Sequence, residues 1–423
     1  MRNLLSLLIV FLPALAVAQE KPSVELITIG PGDAAVEGYG HNMLRIHDPK
    51  RDVDIVFNWG IYNFEDEHFI LNFIQGRLLY WMAAGDTRKM LDYYQGEDRT
   101  IWAQELNLSP AQVKALLDLC DWNAQPENRQ YRYDYFKDNC SSRVRDALDQ
   151  VLSGQIKQQA TTQPSDVTFR SETRRLMAPN FWLYVCLNYV LGTPTDKQLT
   201  AWDEMFIPMR MRERMNQIML VDESGSRVPL VRRETVLHTS GHISERTAPP
   251  PWMGLFLAIG VAIGGGQAWL GRRARNGSRG RKWAFGTAAL LWCLLAGVGG
   301  SILAYFWCFT DHAATRPNEN ILQLGPWSLV LVVAIPVALW RFRSSAETKG
   351  SVGGAMRLAI IFAVIAAGFS LLGMILKLLP IMNQVNGEII ALAVPAHAGL
   401  AWGLWQLSAA RCGAPVETER STA

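Results

Sequence analysis

Two residues in this chain have types that together can do acyl chemistry. They are Cys140, in Phe136-Lys137-Asp138-Asn139-Cys140-Ser141-Ser142-Arg143, and His41, in Gly38-Tyr39-Gly40-His41. Asn139 is a favoured N-cap residue, so Cys140 is expected in the first turn of a helix. The helix dipole and its unpaired N–H groups favour a thiolate there and lower the thiol pKa. The same N–H groups can hold the oxyanion of a tetrahedral intermediate. A neighbouring imidazole would take the thiol proton and later return one to the leaving group.

His41 follows the small Gly40 and enters a strand, the best setting among the histidines of the N-terminal part. His47, His68, His238 and His242 read as surface or loop residues. A base of this kind needs its second ring nitrogen held. Asn58, in Phe57-Asn58-Trp59-Gly60, lies on the strand expected beside that of His41, with Asp54 as the substitute. Each assignment has a plainer rival. Cys140 could be a small hydrophobe heading a core stripe that continues at Val144, and Asn58 could simply close its strand before Gly60.

Several local elements must position these residues. Residues 24–29 read as a strand, and 42–47 with 53–59 as a hairpin across the polar turn 48–51. Ser109 starts a helix with Pro110 at its first position and Gln112 completing a capping box. Residues 130–136 alternate as a strand with Tyr131, Tyr133 and Tyr135 on one face. The helix 140–152 then puts Val144, Ala147, Leu148 and Val151 on one stripe. The class is α+β.

The rest of the chain decides where that domain works. Arg2, an apolar stretch over 4–15 and Ala16-Val17-Ala18 give residues 1–18 the form of a signal peptide. Residues 19–250 are then an exported domain, large enough for a core of its own. The net charge of +3 hides the contrast between this mixed-charge part and the apolar runs that follow. Five segments are long enough to span a membrane: 252–271, 283–309, 321–340, 358–379 and 389–407. The third is weakest, interrupted by Gln323, Gly325 and Pro326.

The connection after the first span carries Arg272, Arg273, Arg275, Arg279, Arg281 and Lys282. The one after the third carries Arg341, Arg343, Lys349 and Arg357. The second and fourth carry one basic residue between them, Arg316, so the basic loops are cytoplasmic and the domain 19–250 lies outside. The transmembrane part is 251–408 and the cytoplasmic tail 409–423.

His397, inside the last span, is a functional candidate by default, although a neutral imidazole bonded to a neighbouring helix explains it more simply. The outer loop Thr310-Asp311-His312 with Asn318 and Asn320 could contact headgroups or the exported domain, or be a solvated turn. Cys120, Cys140 and Cys186 leave one thiol unpaired in an oxidising compartment, and a Cys120–Cys186 disulfide would leave Cys140 free.

The Gly-x-Gly-His strand opening followed by a distant Asn-Cys helix opening resembles the circularly permuted papain-like fold of lecithin:retinol acyltransferase. A longer resemblance is to the Lnb-type lipoprotein N-acyltransferases. It is carried by Gly40-His41, Phe57-Asn58-Trp59-Gly60, Tyr135-Phe136 with Asn139-Cys140, the run 199–208 (LTAWDEMFIP), the Asp311-His312 loop with Asn318 and Asn320, and the membrane helices. Asp311 stands where that family more often has Glu.

The resemblance implies a multi-pass protein of the bacterial inner membrane whose catalytic pair is Cys140 and His41, with Asn58 orienting and Asn139 supporting. Its expected reaction moves the sn-2 acyl chain of a diacylglyceryl lipoprotein to the α-amine of that lipoprotein's N-terminal cysteine. Its expected partners are lipoproteins and membrane phospholipid, with no nucleic acid, and it calls for no metal or other cofactor. One rival is a papain-like Cys peptidase or amidase of the cell wall, which would need an open polar groove, and a second is a non-catalytic membrane module whose site is inert.

Overall fold

The computed structural model describes residues 22–34, 37–241, 245–341 and 353–409. The signal-peptide stretch, His242, Arg343, Lys349 and the tail 410–423 lie outside the described residues.

The N-terminal part opens with three strands, β1 (Ser23–Ile29), β2 (His41–Asp48) and β3 (Val53–Ile61), then α1 (Phe69–Gln75), β4 (Leu79–Asp86), α2 (Thr87–Gly96) and β5 (Ile101–Leu106). Next come α3 (Pro110–Ala124), β6 (Gln130–Arg132), α4 (Cys140–Val151), α5 (Gln155–Ala160), β7 (Pro164–Thr168), α6 (Phe169–Leu176) and α7 (Phe181–Val190). The domain closes with β8 (Gln198–Thr200), α8 (Ala201–Glu204), α9 (Pro208–Met215), β9 (Met219–Val221), β10 (Arg227–Pro229) and β11 (Val231–His238).

Seven strands form one antiparallel sheet in the order β11-β5-β1-β2-β3-β4-β6. Period-two alternation splits its side chains between two cores. Val24, Leu26, Leu44, Ile46, Phe57 and Trp59 pack beneath α3 and α4. Ile27, Ile29, Met43 and Val56 face α2 through Tyr94, Met90 and Leu91. The expected hairpin is present, with Leu44 opposite Phe57 and Asp48 opposite Val53. Ser109 and Gln112 complete their capping box.

One strand is shorter than its pattern. After Arg132 the backbone leaves the sheet because the Asp134 carboxylate accepts from the N–H groups of Phe136 and Lys137, making an Asx turn. The proposed disulfide is not formed. Cys120 is buried in the core beside Leu116, whereas Cys186 is exposed on α7.

Five helices are long and apolar enough to cross a membrane: Met253–Arg275, Arg279–Phe309, Glu319–Trp340, Gly354–Leu378 and Gly387–Ala409. Their regular parts are α10 (Met253–Arg275), α11 (Arg279–Phe309), α12 (Leu329–Arg341), α13 (Gly354–Ile375) and α14 (Gly387–Ala409). The third span becomes continuous only at Leu329, after the break at Gly325 and Pro326. Polar partners satisfy the broken stretch, as they must in lipid. Ser370 donates to Gln323 Oε1 at 2.6 Å, and His397 Nε2 donates to the Gln323 carbonyl at 2.8 Å. His397 thus ties α14 to the broken span, while Trp292 donates to its Nδ1 at 3.3 Å.

The N-terminal domain rests on the end of the bundle opposite the arginine-rich loop 272–282. Glu388, buried in the first turn of α14, receives Arg174 at 2.5 Å, Tyr184 at 2.9 Å and Asn188 at 3.0 Å. These three donors come from α6 and α7, so a buried, fully paired carboxylate joins the two parts.

Candidate active site

The site forms where the ends of β2 and β3 meet the start of α4. His41 is the first residue of β2, and Asn58 lies near the end of β3. Their side chains share the α2-facing side of the sheet, and His41 Nε2 lies 2.6 Å from Asn58 Oδ1. An amide oxygen can only accept, so the ring proton sits on Nε2 and Nδ1 keeps its lone pair.

Cys140 reaches this pair past a position with no side chain. Gly60 has φ +96°, and a Cβ placed there would lie 3.3 Å from Cys140 Cβ and 3.9 Å from His41 Cε1. Thiol and imidazole therefore flank one glycine, brought together from positions 99 residues apart in the chain.

The start of α4 is held firmly. Asn139 accepts from the N–H groups of Ser141 and Ser142, both at 2.9 Å, and its own N–H donates to Ser142 Oγ at 2.8 Å. Its amide nitrogen donates to the carbonyls of Tyr135 and Phe206, both at 2.9 Å. Ser141 Oγ accepts from Asn42 at 2.9 Å and donates to the Met205 carbonyl at 2.7 Å, locking α4 to β2. The backbone N–H groups of Asn42, Ser141 and Cys140 favour negative charge on the sulfur and lower its thiol pKa. Donors that favour negative charge are the groups an oxyanion hole is built from.

Residues 15–178 match the Lnb N-terminal periplasmic domain, and residues 275–383 match the Lnb transmembrane domain, more than half of the chain between them. The chain belongs to the Lnb family. No curated protein and no solved structure matches it. Lnb membership and the five apolar helices make it a multi-pass membrane protein with a periplasmic N-terminal domain. They point to a membrane enzyme of lipoprotein biogenesis. Cys140, His41, Asn58 and Asn139 all lie within the periplasmic match, and His312, Asn318 and Asn320 within the transmembrane one.

The Lnb outer loop is apart from this cluster and serves docking. Asn318 donates to the carbonyls of Tyr189, Val190 and Leu191 at 3.1, 2.9 and 3.2 Å, and Asn320 to that of Tyr189 at 2.8 Å. The two amides thereby satisfy the open carbonyl end of α7. His312 Nε2 donates to the Phe73 carbonyl at 3.0 Å, tying the loop to α1. Asp54, the substitute partner for His41, is instead engaged by Arg45 and Thr87, each at 2.8 Å.

Arg99 and Tyr94 lie beside this cluster, and no local pattern in the sequence points to either. Arg99 is buried and forks onto the Gly30 carbonyl with Nε at 2.9 Å and Nη2 at 2.7 Å. Its guanidinium lies 5.2 Å from the centre of the Tyr94 ring, which in turn lies 6.2 Å from the His41 ring.

Burial dominates the protonation of the pair. It pushes the Cys140 thiol up to about 11, against these N–H groups and the Arg99 charge. It pushes His41 down to about 4, with Arg99 adding to the fall and the Asn58 bond opposing it. The helix start was expected to lower the thiol pKa, but desolvation outweighs it. At neutral pH the pair is thiol and neutral imidazole.

Alkylation of Cys140 by iodoacetamide, followed on its own peptide by mass spectrometry, should therefore be slow at neutral pH. Because the folded pKa is raised, the rate should climb about tenfold per pH unit towards about 11. A rate already level between about pH 5 and 8 would reveal a thiolate–imidazolium pair and overturn this reading.

Proposed function

We propose that this protein is an inner-membrane acyltransferase that converts diacylglyceryl lipoproteins to the lyso form through a Cys140 thioester. The observation that carries the reading is the juxtaposition of Cys140 and His41 across Gly60, with His41 oriented by Asn58.

The thiol of a neutral pair is a poor nucleophile, so proton transfer accompanies attack. Cys140 Sγ adds to the carbonyl carbon of the sn-2 ester as its proton passes to His41 Nδ1. The N–H groups of Asn42, Cys140 and Ser141 receive the developing oxyanion. Collapse expels the glyceryl oxygen, which takes the proton from His41 and leaves as a free hydroxyl. The neutral α-amine of the lipoprotein's N-terminal cysteine then adds to the thioester and gives a proton to His41. The sulfur departs, recovers that proton, and an amide remains.

Aromatic residues line the neighbourhood of the sulfur. Tyr80 faces Tyr131 across β4 and β6, and Arg143, in the first turns of α4, lies 4.1 Å from the centre of the Tyr131 ring. Tyr80 and Tyr133 stack with centroids 4.1 Å apart. Such a wall suits an acyl chain better than the polar groove a wall amidase needs.

The test is mass spectrometry of the N-terminal lipopeptide of one lipoprotein, in cells lacking other N-acylating enzymes, with and without the full chain. An amide-linked acyl group with loss of one glyceryl ester, seen only with the chain, is the expected result. A lipopeptide that keeps both esters and a free amine in both strains would sink the proposal. An N-acylated lipopeptide retaining both esters would replace the lipoprotein by phospholipid as acyl donor.

A further inference from the structure

The segment between β3 and β4 has no core of its own. None of the residues of α1 is buried, although five of its seven are Phe, Ile or Leu. Ile70 is 67% exposed and Leu71 50%, and Phe64 in the preceding turn is 66% exposed. Phe73 and Ile74 are exposed as well. An apolar patch of this kind on a rigid domain marks a contact surface.

Its position identifies what covers it. The C-terminal end of α1 is bonded to the loop that leaves the second span, where Asp311 N–H donates to the Gln75 carbonyl at 2.8 Å. Arg77 at 2.9 Å and Arg132 at 2.6 Å both hold the Asp311 carboxylate. Asp311 is two residues past Phe309, the last residue of α11. Phe309 and Trp307 are themselves exposed at the outer end of that helix, as expected of aromatic side chains at a membrane–water interface. The patch is therefore level with the outer interface of the bilayer.

The patch also leads inward. Phe64 packs on Tyr62 at 4.6 Å and on Phe69 at 4.8 Å, and Tyr62 lies 5.1 Å from Tyr80, whose strand partner Tyr131 packs under Arg143 of α4. A run of aromatic rings thus leads from the exposed helix to the first turns of α4, which Cys140 opens.

We infer that α1 and the Phe64 turn form a lip that dips into the outer leaflet and passes an acyl chain from the bilayer to the wall beside Cys140. The bilayer contact stands on the geometry alone, whereas the handover of an acyl chain rests on the proposed acyl transfer. A soluble protein partner would have to reach a helix held at headgroup level, and the bilayer is already there.

The test places p-benzoylphenylalanine at Ile70 or Leu71 of the full chain, in membranes of cells fed radiolabelled palmitate. Val221 serves as the control, exposed on β9 beside Gln155, beyond the far end of α4 from Cys140. Irradiation should label the chain at least about fivefold more from α1 than from Val221. Labelling no greater than at Val221, or a protein adduct at α1 instead, overturns the bilayer contact.

Replacing Ile70 and Leu71 together by Asp should lower N-acylation at least about tenfold while leaving iodoacetamide alkylation of Cys140 unchanged. Strong photolabelling with no loss of activity in that variant overturns the handover. Strong photolabelling in cells where even the unmodified chain makes no N-acylated lipopeptide removes the acyl-transfer reading and leaves the membrane lip standing.

Discussion

Cys140→Ala should abolish N-acyl transfer, lowering the rate at least about 10⁴-fold, and His41→Ala should cost about as much. In the proposed reaction the sulfur receives the acyl group, and no other thiol of the described residues is placed to replace it. Cys120 is buried in the core as part of α3, Cys293 is buried in the helix bundle, and Cys186 and Cys308 are exposed on α7 and α11. On the same proposal the imidazole matters as much, because the thiol pKa is raised to about 11, leaving almost no spontaneous thiolate at neutral pH.

The double variant should be no worse than either single one, since the two groups act on one proton. Rates would be read on a synthetic diacylglyceryl lipopeptide with purified protein. A hydroxylamine-labile acyl group should accumulate on the wild-type chain and be missing from Cys140→Ala. Residual activity above about 1% in Cys140→Ala would mean that the acyl group travels by another route. His41→Ala leaves a further signature, because alkylation of its Cys140 should lose any dependence on a group near pH 4.

The parts of this site visible in the sequence are those fixed by local chemistry. Asn139 before Cys140 identifies a helix start because capping is a matter of three or four consecutive residues. The β2–β3 hairpin follows from alternation across a polar turn, and it carries His41 and Asn58 to adjacent strands. The five spans follow from length and apolarity, and their sidedness from the basic residues of the first and third connections.

What stayed hidden depends on contacts distant in the chain. Arg99 sits between α2 and β5 with no local pattern around it, and only the folded sheet brings its guanidinium to Gly30 and Tyr94. The alternation over 130–136 suggests a longer strand than forms, since a single Asx turn at Asp134 ends it. Asn318 and Asn320 have the composition of a binding loop, yet their amides are consumed by the carbonyls at the end of α7. The helix start beside Cys140 argues for a lowered thiol pKa, and burial, which no window of residues reports, reverses the sign.

Gly60→Ala should lower activity about a hundredfold while the protein remains folded. Two effects act at this position and can be separated. The backbone has φ +96°, where an L side chain costs about 1–3 kcal/mol. The added methyl would also stand 3.3 Å from Cys140 Cβ and 3.9 Å from His41 Cε1, tighter than relaxed contact on the thiol side. It must push Cys140 away by a few tenths of an ångström, disturbing the thiol–imidazole approach that the proposed proton transfer needs. A shift of that size is small for stability and large for a reaction that needs sulfur, ring nitrogen and ester carbonyl aligned.

Gly225→Ala isolates the first effect. Gly225 has φ +79° in the turn between β9 and β10, with no atom within 4 Å of the added carbon. It carries the backbone strain without the wedge, so its melting temperature should fall about as much as that of Gly60→Ala while its activity stays near wild type. If the two variants lose activity equally, the loss at Gly60 comes from strain alone, and the close approach of Cys140 to His41 across that glycine is not what the reaction depends on.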